Sequence, residues 1–120
     1  MNDYQMGAVE ARFADIIWKR EPISSTELCK ISLEVLSWKK STTYTVLKRL
    51  CEKGIFKNEN GMVSSVISKE EFFSAQSTRF VEENFGGSLP AFLAAFTAGK
   101  SLSAEEIAQL RRLVAEQEEV

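Results

Sequence analysis

The chain has 120 residues, 44% of them hydrophobic, with eight Phe and two Trp: enough for one domain, or for a small core plus an association element, and too few for two full domains. Fifteen basic and seventeen acidic side chains leave a net charge of -2, no His is present, and the two cysteines, Cys29 and Cys51, stand far apart. This inventory excludes a disulfide framework, a zinc site of the usual Cys and His spacing and any triad built on His, so no catalytic residue, metal, cofactor or small-molecule substrate is expected.

The first apolar pattern runs from Met6 to Trp18. Met6, Val9, Phe13, Ile16 and Ile17 share one arc of a 3.6-residue period, which predicts an amphipathic helix ending near Lys19 to Pro22, because the residue before a proline is pushed out of the helical region. A second helix begins at Ser24, where Ser24 and Glu27 form a capping-box pair, with Leu28 and Ile31 turned inward. The third occupies WKKSTTYTVLKRLCEKG at 38–54. At about 100° per residue, Thr43, Val46, Leu47 and Leu50 fall on one side with Cys51 at its edge, and Ser41, Thr45, Lys48 and Glu52 fall opposite, flanked by Tyr44 and Arg49. Gly54 ends this helix. Beyond it, Asn60-Gly61 between two short β-like runs, Ile55 to Lys57 and Met62 to Ile67, predicts a two-stranded hairpin with a type I′ turn.

Three more helices follow. Ser68 with Glu71 opens one carrying Phe72, Phe73, Phe80 and Val81 and ending at Asn84 to Gly87; Ser88 with Pro90 opens one carrying Leu89, Phe92, Leu93 and Phe96 and ending at Gly99; Ser103 with Glu106 opens the last, with Ile107, Leu110, Leu113 and Val114. Both cysteines are expected as reduced thiols packed in the core. No apolar run approaches the roughly 20 residues of a membrane span. The opening MNDYQMGAVEARF lacks the order of a signal peptide, and a cytoplasmic location is the expectation.

Charge is unevenly divided. Residues 1–68 hold ten basic and eight acidic groups, net +2, and residues 69–120 hold five basic and nine acidic, net -4. Within the first part, Lys39, Lys40, Lys48, Arg49, Lys53 and Lys57 against Glu52 alone make the segment from Lys39 to Lys57 net +5. Lys39, Lys40, Ser41, Thr42 and Thr45 at the start of the third helix, with Tyr44, Lys48 and Arg49 further along, join short hydroxyls that can approach base edges to cations that can neutralise phosphates. A helix docked through its N-terminal residues in the major groove, with Lys57 of the hairpin on the adjacent backbone, is the helix-turn-helix manner of reading DNA. The bland reading of the same face is a solvated cationic surface, and the alternative function is a protein-interaction module that binds no DNA; that module would show an apolar groove in place of the basic face.

The apolar stripes of the second part, Phe72, Phe73, Phe80, Phe92, Phe96, Ile107, Leu110 and Val114, must be covered. A homodimer does so and places two reading helices on two half-sites; folding back on the first part is the other possibility. The expected division is therefore a DNA-binding domain at 1–68 and a helical dimerisation region at 69–120.

The chain resembles the penicillinase repressor family, the BlaI, MecI and CopY type of winged-helix transcriptional repressor. The resemblance spans nearly the whole chain and is carried by EARFADIIW with Glu10, Phe13 and Trp18, by SSTELCKI at 24–31, by Trp38, Thr42, Thr45, Leu47, Arg49, Leu50, Lys53 and Gly54 within WKKSTTYTVLKRLCEKGIF, and by SKEEF at 68–72. It implies a mainly α fold with a small β-hairpin wing: a winged helix-turn-helix domain followed by a helical dimerisation region. It further implies a homodimer on a dyad operator of double-stranded DNA, repressing a β-lactamase, antibiotic-resistance or stress operon, and released when a membrane sensor protease leads to cutting near Ala95-Phe96 in AAFTAGK. Antibiotic-responsive members have Asn where this chain has Ala95, and the paired Cys-x-Cys ligands of the copper branch are absent from LRRLVAEQEEV. Thr43 stands where Val or Ile is preferred, and Ser64 and Ser65 stand where the wing is commonly aromatic.

Overall fold

A computed structural model describes residues 5–119; the first four residues of the stretch read for a leader lie outside it. The order is α1 (Ala8–Arg20), β1 (Ile23–Ser24), α2 (Ser25–Leu36), α3 (Lys40–Glu52), β2 (Phe56–Glu59), β3 (Met62–Ser65), α4 (Lys69–Phe85), α5 (Leu89–Gly99) and α6 (Ala104–Glu118). Two compact units divide the chain, Met1–Arg79 and Phe80–Val120. None of these helices is long and apolar enough to cross a membrane.

The first unit is built around α1. Phe13, Ala14, Ile16 and Ile17 are buried at the i, i+1, i+3, i+4 spacing of one helical face, and Glu10 in the first turn with Lys19 and Arg20 in the last complements the helix dipole. Val9, expected on that face, is exposed instead, while Met6 ahead of it packs against the core. Leu28 from α2, Val46, Leu47 and Leu50 from α3, and Ile55, Phe56 and Val63 from the sheet complete the cluster. Each Val, Leu, Ile or Phe side chain among them contributes about 1.5–3 kcal/mol by leaving water. Trp18 sits among aromatic rings, 5.3 Å from Phe56 and 5.5 Å from Phe72 between centroids, and its indole N–H donates to Ile67 O at 3.2 Å.

Helix ends follow the capping residues. Ser24 accepts from Glu27 N–H before α2, Ser88 from Ala91 N–H before α5, and the pairs Ser68 with Glu71 and Ser103 with Glu106 close both halves of their boxes. At the end of α3, Gly54 takes φ 82° while its N–H donates to Cys51 O and that of Ile55 donates to Leu50 O, a Schellman closure with Ile55 and Leu50 both buried beneath it. Ser37 ends α2 in the left-handed region at φ 58°, and the chain turns there toward α3.

The hairpin turn is as expected: Asn60 and Gly61 have φ 54° and 83°, and Glu59 faces Met62 across a two-residue loop. The sheet is larger than the two-stranded ribbon the sequence suggests. Ile23 and Ser24 pair antiparallel with Val63 and Met62, so the strand order is β1-β3-β2. Two residues between Pro22 and the start of a helix are too few to show a strand period. At the other end of β3, Glu21 accepts from both the backbone N–H and the hydroxyl of Ser65, at 2.8 and 2.7 Å, which gives the polar residue at that wing position its structural use.

In the second unit the rings of Phe80, Phe85 and Phe92 lie 5.6–6.0 Å apart and Phe96 continues the row 6.2 Å from Phe92. No residue of α5 or α6 is buried. One open cleft of about 350 Å³ runs along Ile107, Leu110 and Val114, and another of about 240 Å³ runs between Phe92, Phe96 and Leu113.

Candidate nucleic-acid interface

Helix α3 separates its two sides as the periodicity predicts. Thr43, Val46, Leu47 and Leu50 are buried, and Lys39, Lys40, Ser41, Thr42, Thr45, Lys48, Arg49 and Glu52 are exposed. Burial of four side chains fixes the helix in rotation, so the opposite side is held out to solvent as a rigid surface. Two threonine hydroxyls donate back to the chain, Thr45 Oγ1 to Ser41 O at 2.9 Å and Thr43 Oγ1 to Lys39 O at 3.3 Å. Thr45 thus presents its methyl group and oxygen lone pairs outward, a surface suited to a thymine methyl or a base-edge donor.

The start of α3 is electrostatically open. Lys39 occupies the N-cap without a side-chain bond to the helix, and the first turn carries no acid. The first N–H groups and the positive end of the dipole are left to an external anion. Among the described residues Lys39, Lys40 and Lys48 make no ion pair. Lys57 on β2 lies 3.2 Å from Glu59, both exposed, a pair worth well under about 1 kcal/mol and easily exchanged for a phosphate. Arg49 is 3.9 Å from Glu10 of α1, a contact at the limit of an ion pair. Lys53 points away from this surface and donates to Gln5 O at 2.6 Å.

Tyr44 departs from the expected outward set. Its ring packs partly against the core, and its hydroxyl donates to Ser25 Oγ at 3.1 Å. A tyrosine on the flank of a helix turns inward when an apolar shelf and a hydroxyl acceptor lie within reach. No sequence signal marks this partner, which is 19 residues away.

The apolar residues assigned to a dimer surface also divide. Phe72 is 3% exposed in the core of the first unit and is unavailable to a partner. Phe73 packs edge-on against it at 5.4 Å yet remains exposed. Phe80, Phe96, Ile107 and Val114 are exposed, Val114 to 60%, and Phe92 and Leu110 are half-buried. Ala95 and Phe96 lie inside α5. Of the two cysteines, neither is fully buried: Cys51 packs against the core, where burial, then the charge of Glu52, pushes its thiol above the ordinary value, and Cys29 is half-buried.

Three helices closed over a small antiparallel sheet, a turn between α2 and α3 that leaves the third helix facing outward, and a tight hairpin after it define a winged helix-turn-helix protein. Residues 6–116 match the penicillinase repressor family, and the chain belongs to that family. It is 27% identical over 116 residues to the penicillinase repressor of Bacillus licheniformis, covering 93% of this chain and 91% of that one. It is 24% identical over 115 residues to the methicillin resistance regulatory protein MecI of Staphylococcus aureus (strain Mu50), covering 92% and 94%, and 23% identical over 115 residues to the protein of the same name from Mammaliicoccus sciuri, with the same coverage.

Proposed function

We propose that the protein is a transcriptional repressor that binds double-stranded operator DNA in a sequence-specific manner as a homodimer. The observation that carries this reading is the outward side of α3, where hydroxyls and unpaired lysines stand on a helix anchored by four buried side chains. Ser41, Thr42 and Thr45 read base edges in the major groove; Lys39, Lys40, Lys48, Arg49 and the wing's Lys57 bind phosphates. To do so Arg49 turns from Glu10 Oε2, which it meets only at 3.9 Å. Because the same side of α3 is polar and cationic, it does not offer the apolar groove of a protein-interaction module.

The homodimer is supported by the second unit, in which α5 and α6 leave apolar clefts open along Ile107, Leu110, Leu113 and Phe96. A two-fold pairing there covers these surfaces and duplicates α3 for the two halves of a dyad operator. Release by a sensor protease, which the family resemblance implies, would act on the bond between Ala95 and Phe96. That bond lies within α5, so cutting it requires the helix to open locally.

The test is a gel-shift titration on promoter duplexes across a range of salt. Binding is expected to prefer dyad-symmetric DNA, and log K is expected to fall with log salt at about -0.9 per phosphate engaged. A flat salt response, or equal affinity for random duplex, overturns the proposal.

A further inference from the structure

Ser25, the first residue of α2, touches both DNA-facing elements. Its hydroxyl accepts from Tyr44 of α3 at 3.1 Å, and its backbone N–H donates to Gly61 O at 2.7 Å, at the tip of the hairpin. Gly61 lies close enough that a Cβ built on it would stand 3.8 Å from Ser25 Oγ. The ring of Tyr44 also lies beneath Lys40, whose Nζ is 6.0 Å from its centre. One tyrosine therefore meets a cation of the reading helix through its face, and the residue that holds the wing tip through its hydroxyl.

The base of the wing is secured without Tyr44. Phe56 and Val63 are buried, β1 pairs with β3, and Glu21 clasps Ser65. The tip is different: Lys57 to Asn60 are exposed, and the Ser25 N–H to Gly61 O bond is the rung nearest the turn. A phosphate contact from the wing helps only if the spacing between wing tip and reading helix is set before DNA arrives, since ordering it on binding costs affinity.

Resting on the repressor reading above, we propose that Tyr44 is a positioning residue and not a DNA contact: through Ser25 it sets the wing tip at a fixed distance from α3. A tyrosine that itself donated to a phosphate would have its hydroxyl free, whereas here the hydroxyl is directed to Ser25.

Tyr44→Phe removes the hydroxyl and keeps the ring under Lys40; Ser25→Ala removes the acceptor and leaves Tyr44 intact. In the full-length protein without DNA, Tyr44→Phe is expected to speed amide exchange at Ser25 and shift the amide resonances of Asn60 and Gly61, leaving those of α1 unchanged. On the tightest dyad duplex that the unaltered protein selects from a randomised pool, each substitution is expected to weaken binding by roughly 3- to 10-fold, the range one lost hydrogen bond supplies. The double variant is expected to bind no worse than either single one. Protection of the outermost phosphates should fade while the central bases stay protected.

Two results overturn the proposal: amide exchange at Ser25 unaffected by Tyr44→Phe, or Ser25→Ala binding as the unaltered protein does while Tyr44→Phe is weakened, which makes Tyr44 a direct contact. If the unaltered protein selects no duplex, the repressor reading fails, and the exchange measurement still decides whether Tyr44 holds the wing.

Discussion

The two units of this chain handle the same kind of residue in opposite ways. In the first, Phe13, Ile17, Leu28, Leu50, Ile55 and Val63 are completely removed from solvent, and Phe72 joins them at the start of α4. In the second, which is no poorer in apolar residues, Phe80 is 50% exposed and Leu113 57%, and nothing in α5 or α6 is buried. Apolar content alone does not make a core. The first unit has helices and a sheet that cross one another and close; the second has two short helices and the end of a third, with more stripe than surface to cover it. What one unit completes internally the other leaves open, and the homodimer proposed above is what would cover it.

The largest expected effect tests the closed unit. Phe13→Ala empties a fully buried ring site and should cost about 3–5 kcal/mol in denaturant unfolding. Next is the open unit. Leu113→Asp puts a charge on its exposed stripe and should leave the far-ultraviolet spectrum of the folded chain unchanged while weakening self-association by about 2 kcal/mol, roughly thirtyfold, as read by sedimentation. If Leu113→Asp instead unfolds the protein at every concentration, the contrast between the units is broken. Ser32→Ala sharpens it from the other side: Ser32 is fully buried with an Oγ that has no hydrogen-bond partner among the described residues, so its removal should raise stability by about 1 kcal/mol.

The smallest effect is a pH dependence. Hydrogen bonds from Lys19 and then Lys69, at 2.8 and 2.7 Å, hold the Asp15 carboxyl below its ordinary value of 3.8 and outweigh the opposing effect of burial. A folded value below the unfolded one means this contribution is complete above 3.8 and is lost as pH falls through the lowered value. Asp15→Asn should therefore flatten the acid limb of stability by less than about 1 kcal/mol and leave neutral-pH DNA affinity unchanged.

Much of this organisation is legible in the sequence because it is local. The serine caps, the Gly54 stop, the Asn60-Gly61 turn and the two sides of α3 each follow from residues within one or two turns of each other. What stays hidden is tertiary. Strand β1 is two residues long and exists because Val63 and Met62 lie beside it. Tyr44 turns toward Ser25, and Phe72 goes under Trp18 when its helical period permits either a core or a dimer surface. Periodicity says that a residue is apolar on one side; it does not say which chain supplies the cover.

The short sheet bears on how copies of the chain can meet. Its outer strand β2 ends in Lys57, Asn58 and Glu59, all exposed, and the opposite margin, β1, offers only Ile23 and Ser24 before helix α2 begins. A margin that is charged on one side and two residues long on the other is a poor template for adding a foreign strand, which protects against runaway stacking of hairpins. Crowding many copies together should therefore not yield fibres that grow from this sheet.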